Sequence, residues 1–183
     1  MLRNSKTLSS VPNLLIRAGN AQDDGLLAEL GARTFCETFA ADNTPENMSA
    51  YLAAAFGPAQ QAAELANPDC LFQIAEKNEV AVGYAMLRSG NAPDGITGGK
   101  PIELVRLYVS REDLGSGVGA ALMRACMSEA KAGGYKTLWL GVWEQNYRAQ
   151  AFYRKWNFSE MGTHIFQLGD DLQTDILMQR DTS

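Results

Sequence analysis

Residues 103–119, E-L-V-R-L-Y-V-S-R-E-D-L-G-S-G-V-G, restrict this chain more than any other stretch. An apolar, β-branched run from Ile102 to Val109 reads as a strand, and polar turn residues follow it. Gly115, Gly117 and Gly119 then alternate into an amphipathic helix that starts near Val118. Residues without Cβ atoms let successive backbone N–H groups converge on one point. The helix start adds unpaired donors and the positive end of its dipole. Such a nest holds a phosphate or pyrophosphate without a cationic side chain.

Three kinds of phosphate loop compete for this segment. A P-loop needs Lys-Ser or Lys-Thr after its glycines, and none follows here. Gly115, Gly117 and Ala120 fit the dinucleotide pattern G-x-G-x-x-[GA], and Glu144 lies near the distance expected of a ribose-binding acid. That motif puts its first glycine directly after the strand, whereas Ser110 to Leu114 intervene here. In its order of strand, short excursion, glycine nest and helix, the segment resembles the acyl-coenzyme A loop of the GCN5-related N-acetyltransferases, the GNAT superfamily. One position departs: Leu114 stands where that family usually has Gln or Arg.

A second constellation strengthens the resemblance. W-E-Q-N-Y-R-A-Q-A-F-Y-R-K-W-N-F, after the apolar run Thr137 to Val142, is similar to the family's later motif of an Asn before a helix carrying A-x-x-F-Y. Asn146 is a natural N-cap. Ala149, Phe152, Tyr153 and Trp156 fall on one helix face. Asn146 and Tyr153 are then about 10 Å apart along the axis, at roughly 1.5 Å per residue. Taken alone, each has an ordinary reading, Asn146 as a cap and Tyr153 as a core aromatic. The C-terminal E-M-G-T-H-I-F-Q-L-G-D-D-L-Q-T-D-I-L-M resembles PaiA-type spermidine/spermine acetyltransferases, and so does T-F-C-E-T-F-A-A-D-N-T-P-E-N-M-S-A-Y-L near the N-terminus.

The resemblance implies acetyl-CoA as donor, with no metal. Leu114, Gly115, Ser116, Gly117, Val118, Gly119 and Ala120 would form the pyrophosphate loop. The backbone of Leu107, Tyr108 and Val109 would pair with the pantetheine amides like an added strand. Asn146 would hold the pantetheine arm, and Tyr153 would hydrogen-bond or protonate the departing thiolate. An alkyl ammonium near pKa 10.4 must lose its proton before attack. Glu103 is the first candidate base, by resemblance to the histone-acetylating branch; its alternative is an ordinary strand-end carboxylate. Glu37 is the second candidate, as base or as a substrate-ammonium ligand, with Asp42 and Glu46 as further carboxylates. The implied activity is N-acetyl transfer to a primary amine, a polyamine or a peptide amine. A non-catalytic acyl-CoA-binding module is the other class.

Composition sets wider bounds. At 183 residues and 46% hydrophobic, one domain is expected over 13–183, after a flexible tail at 1–12. A net charge of −5 argues against nucleic acid as a partner. No apolar run approaches a membrane span. Cys36, Cys70 and Cys126 show no C-x-x-C spacing and suggest a reduced, cytoplasmic setting. His164, the lone histidine, excludes a multi-histidine metal site and reads as structural. A homodimer is left open.

Periodicity and caps predict the remaining order. A strand at 13–17 precedes a helix from Asp23 or Asp24 to about Phe39. Thr44-Pro45 opens a helix to Phe56, and a short helix covers 59–66. A hairpin spans 70–88, a loop 89–100 and the central strand 102–109. A helix at 118–132, a strand at 137–142, a helix at 147–156 and strands near 158–167 and 174–180 follow. This is an α+β chain: a mixed, mostly antiparallel sheet with helices on both faces, the pattern of the GNAT acyl-CoA N-acyltransferase fold.

Overall fold

The structure, a computed structural model, describes residues 13–183; the expected tail at 1–12 lies outside them. Strand β1 (Leu14–Ala18) leads through a capping box, in which Asn20 and Asp23 exchange side-chain-to-backbone bonds, into α1 (Asp24–Phe39). Thr44 accepts from the Asn47 N–H and Pro45 occupies the first helical position, so α2 (Pro45–Phe56) starts where the sequence predicts. Pro58 starts α3 (Pro58–Ala66) one residue early. Strands β2 (Cys70–Lys77) and β3 (Val80–Ser89) form the hairpin, turning through Asn78 and Glu79, both at positive φ. Then come β4 (Pro101–Val109), α4 (Val118–Ala132), β5 (Thr137–Trp143), α5 (Tyr147–Lys155), β6 (Ser159–Leu168) and β7 (Asp171–Asp181). Strand β7 starts three residues before the expected Thr174, because Leu168 and Asp171 pair across a tight turn at Gly169 (φ +62°).

The seven strands run in the order β1-β2-β3-β4-β5-β7-β6, and every pairing is antiparallel except β4 with β5. On one face α4 buries Val118, Leu122, Met123, Cys126 and Ala130 against Leu87, Ile102, Leu104, Leu138 and Leu140. Fully burying one large aliphatic chain of this kind contributes about 1.5–3 kcal/mol. Tyr153 and Phe158 extend that core beneath α5. The opposite face carries α1, α2 and α3 over Phe72, Ile74, Tyr84 and Met86, with Phe35, Met48, Phe56 and Leu168 alongside. No helix among the described residues is long and apolar enough to cross a membrane.

One irregularity positions the site. Arg106 pairs with Met86 and Leu104 with Leu87, so Val105 is an extra residue in β4. The bulge shifts the alternation of side chains. Ile102 and Leu104 before it, and Leu107 and Val109 after it, all face α4 and α5. Arg106 turns to the other face, where its guanidinium binds the Glu64 carboxylate (3.0 Å for the longer contact) and lies over the Phe56 ring. That ion pair ties α3 to β4.

Candidate active site

Strands β4 and β5 are paired only at 101–103 with 137–139. Beyond Glu103 they part, while β4 stays bonded to β3 as far as Val109 and β5 stays bonded to β7 as far as Trp143. Two backbone edges therefore face each other across a gap in the middle of the sheet. The gap opens into a cleft of about 570 Å³ lined by Leu104 to Val109 on one side and Gly141 to Trp143 on the other. Free strand edges inside a protein are sites for an added extended chain. Leu107, Tyr108 and Val109 are on that edge.

The glycine loop closes one end. Gly115 (φ +78°) and Gly117 (φ +100°) have backbone conformations that L side chains resist, and Gly117 is the N-cap of α4. The earliest satisfied amide of α4 is Ala121 N–H, which donates to the Gly117 carbonyl at 3.0 Å. Among the described residues the N–H groups of Gly115, Gly117, Val118, Gly119 and Ala120 take no backbone partner. Ser116 differs: its N–H and its hydroxyl both donate to the Asp113 carbonyl, at 3.2 and 2.6 Å. It braces the loop, as does the Asp113 carboxylate, which accepts from Lys77 at 2.9 Å. Val118 is fully buried and offers only its backbone. Leu114, 38% exposed, lines the cleft with an apolar surface.

Helix α5 supplies the facing wall. The Asn146 side-chain oxygen accepts from the Ala149 N–H at 3.1 Å, which fixes the helix start and leaves its NH₂ donors for another acceptor. Asn146, Ala149, Phe152 and Tyr153 all line the cleft. Tyr153 is packed edge-on by Phe152 and Phe158, with ring centres 5.4 and 5.6 Å away. Burial pushes its hydroxyl well above the ordinary tyrosine range, so it stays a proton donor throughout the working pH range.

A sequence model of the acetyltransferase (GNAT) family matches residues 33–158. The chain belongs to that family. An N-acetyltransferase of Mycobacterium bovis is 35% identical over 155 residues, 85% of this chain and 95% of its own length. One of Lactobacillus delbrueckii subsp. lactis is 30% identical over 151 residues, 82% and 87% of the two chains; both are described only as uncharacterized N-acetyltransferases. Among solved structures, the PaiA N-acetyltransferase of Thermoplasma acidophilum, in complex with coenzyme A, shares the fold at a TM-score of 0.72 and 22% identity, covering 92% of this chain and 98% of that one. The ribosomal-protein-S18-alanine N-acetyltransferase of Escherichia coli does so at 0.69 and 18%, covering 93% and 94%. The protein is thus an acetyl-CoA-dependent N-acetyltransferase of the GNAT fold.

This GNAT cleft does not gather every residue singled out in the sequence. Glu103 lies where β4 and β5 are still paired, and its side chain points away from the α4 face, to which its neighbours Ile102 and Leu104 belong. Its carboxylate accepts from Arg88, its cross-strand partner, at 2.7 Å. Val109, at the open end of the strand, is six residues and about 20 Å farther on, at roughly 3.3 Å per residue. Glu103 does not line the cleft. Glu37 lines an adjoining recess with Asp42, Arg111 and Arg148; its carboxylate accepts from the Arg111 N–H at 2.8 Å. Glu46 is exposed on α2 and belongs to neither space. Residues not singled out complete the wall: Phe39, Gly141, Trp143, Arg148, Lys155 and Asp175. Of these, Gly141 carries a signal in the sequence, a glycine inside an apolar strand, which marks a close approach.

Proposed function

We propose that this enzyme transfers acetyl from acetyl-CoA directly to a primary amine of a small polycation such as spermidine or spermine. The observation that carries the transfer is the gap between β4 and β5, which joins a nest of unpaired amides at one end to the Tyr153 hydroxyl inside. In this reading the amides of 115 and 117–120 hold the pyrophosphate, and Arg148 and Lys155 add positive charge along the same wall. The free edge of Leu107 to Val109 pairs with the pantetheine amides, and Asn146 NH₂ donates to a pantetheine carbonyl. When bound, acetyl-CoA supplies an activated thioester. Tyr153 then stabilises charge developing on the sulfur, and no covalent enzyme intermediate is required. The cysteines support this: Cys126 is buried, and its thiol is pushed up to about 12, which suits packing and not nucleophilic attack. Three free thiols favour a reducing, cytoplasmic setting.

Support for a polycation comes from the two PaiA-like segments of sequence and from Glu37 and Asp42 at the outer recess. Steady-state release of free thiol from acetyl-CoA, with spermidine, n-butylamine and a lysine peptide compared, tests the substrate class. Spermidine should have the highest kcat/KM, and its KM should rise with ionic strength as the carboxylates are screened. A preference for the peptide or the monoamine would reject the polyamine assignment and leave acetyl transfer standing.

A further inference from the structure

The Tyr153 side of the cleft holds the donor chemistry but no group able to take a proton from an ammonium. The opposite sheet face does. Ile176 and Met178 of β7 point into the core under α4 and α5, so Asp175 points the other way, toward the half of the cleft walled by Phe35, Phe39, Phe166 and Leu168. Asp175 is the only carboxylate among the described residues that line the cleft. Its register partners are Trp143 in β5 and His164 in β6. His164 Nε2 stands 3.5 Å from Asp175 Oδ2, a charge contact too long for a good hydrogen bond, and Nε2 is buried with no hydrogen-bond partner. A buried polar atom left without a partner is costly, and in a native fold it asks for a reason.

Gly141 supplies the room. A Cβ there would sit 3.0 Å from His164 Nε2 and 3.1 Å from Asp175 Oδ2, tighter than side chains ordinarily approach. The glycine on the β5 lip of the gap therefore leaves room for the Asp175 carboxylate at the cleft wall and for the imidazole behind it.

We propose that Asp175 binds the ammonium of the acceptor and takes its proton, with His164 as the positioning residue behind it. The assignment rests on the acetyl-transfer reading above. Burial holds the Asp175 carboxyl above the usual carboxylate range, an effect that His164 opposes. The same apolar surroundings disfavour the charged form of an entering ammonium, so the two proton affinities move toward each other. The other titratable groups around this space are Tyr108 on β4, Tyr51 on α2, Arg106 held by Glu64, and Arg148 and Lys155 on α5. None of these is a carboxylate, and the aromatic rings around Asp175 favour a cation.

One N–H bond of the ammonium breaks, and its proton goes to Asp175 Oδ2. The freed lone pair forms the C–N bond to the acetyl carbon as the C–S bond breaks. The thiolate, hydrogen-bonded by the Tyr153 hydroxyl, takes up the second proton that the nitrogen releases. Asp175 passes its proton to His164 Nε2, and the imidazole, partly exposed, releases one to water from its other nitrogen, a net release of one proton per acetyl transferred.

The test uses the full-length protein with spermidine and n-butylamine at saturating acetyl-CoA, from about pH 6.5 to about pH 10, just below the ordinary amine value. Near neutrality Asp175→Asn should lower kcat/KM for the amine by about 10²- to 10⁴-fold, the usual range for a general base. The loss should shrink as pH rises and more amine is already neutral. Calorimetric affinity for acetyl-CoA should be unchanged, which also shows that the variant folds. His164→Gln should alter the shape of the pH profile and leave that affinity alone. A second readout needs no turnover: His164 is the only histidine, so its imidazole NMR signals are unambiguous. Adding n-butylamine to the protein without acetyl-CoA should move them in the wild type and not in Asp175→Asn. If Asp175→Asn keeps kcat/KM within about threefold of wild type while acetyl is transferred, or the imidazole signals ignore the amine, this assignment is overturned and the transfer reading stands. A wild type that neither binds acetyl-CoA nor releases thiol would overturn both.

Discussion

Tyr153→Phe gives the sharpest measure of the chemistry assigned to α5. A tyrosine hydroxyl ordinarily titrates near 10 and a thiol near 8.5, so full proton transfer to the departing sulfur is already uphill by about 1.5 units. Burial raises the Tyr153 value further and makes complete transfer less favourable still. The hydroxyl is therefore expected to act as a hydrogen-bond donor to developing negative charge, a contribution of about 1.5–3 kcal/mol. At about 1.4 kcal/mol per factor of ten, removing it should lower kcat by roughly 10- to 150-fold. Because the bond forms only as charge develops, kcat and kcat/KM should fall together, with acetyl-CoA affinity held within about twofold. The ring keeps its contacts with Phe152 and Phe158, so the melting temperature should barely move. Thiol release and calorimetry measure both quantities. A loss of less than about threefold, or one confined to KM, would refute the role. An alkaline fall in kcat near pH 10 that disappears in the variant would refute the burial argument.

Three further outcomes test the frame around the site. Gly117→Val places a β-branched residue at φ +100°; it should cost about 1–2 kcal/mol of stability and abolish measurable acetyl-CoA binding by calorimetry. Glu64→Gln leaves Arg106, 8% exposed, without its charge partner. Breaking a buried pair costs about 3–5 kcal/mol, which at about 2–4 °C per kcal/mol lowers the melting temperature by roughly 6–20 °C; a change under about 2 °C would show that the pair contributes little. Glu103→Gln removes a half-exposed contact with Arg88 and should cost under about 1 kcal/mol. Its thiol release should match wild type at every pH, and a selective loss near neutrality would return the base to Glu103.

The parts of the site that can be read from the chain are those built from neighbours in sequence. The nest is legible because Gly115 and Gly117 are needed for their own backbone angles. Asn146 and Tyr153 are legible because one helix sets their spacing, and Thr44-Pro45 announces α2 by its own cap. The rest depends on strand register. Glu103 sits at the right count of residues from the glycines, yet distance along a strand does not tell where β4 leaves β5, nor that Arg88 is its cross-strand neighbour. The same holds for the Val105 bulge, which decides that Val105 and Arg106 both leave the α4 face and that Leu107 takes it. Asp175, His164 and Gly141 come from three strands whose order in space differs from their order in the chain. Polar residues in otherwise apolar strands were the available signal, and their convergence required the fold.

The brief contact between β4 and β5 has a mechanical consequence. Only three residue pairs bond the leaf β1-β2-β3-β4 to the leaf β5-β7-β6. The backbone ladder that makes a sheet stiff is thus interrupted across its centre, like a book whose spine is stitched at one end. A thioester arm lying in the gap and bonded to both edges would complete the stitching. Amide hydrogens of Leu107 and Val109 and of Gly141 and Trp143 should then exchange more slowly, and the two leaves should resist separation as one plate. Loss of the spent carrier would then reopen the seam, and the exchange rates of those amides should return to their unliganded values.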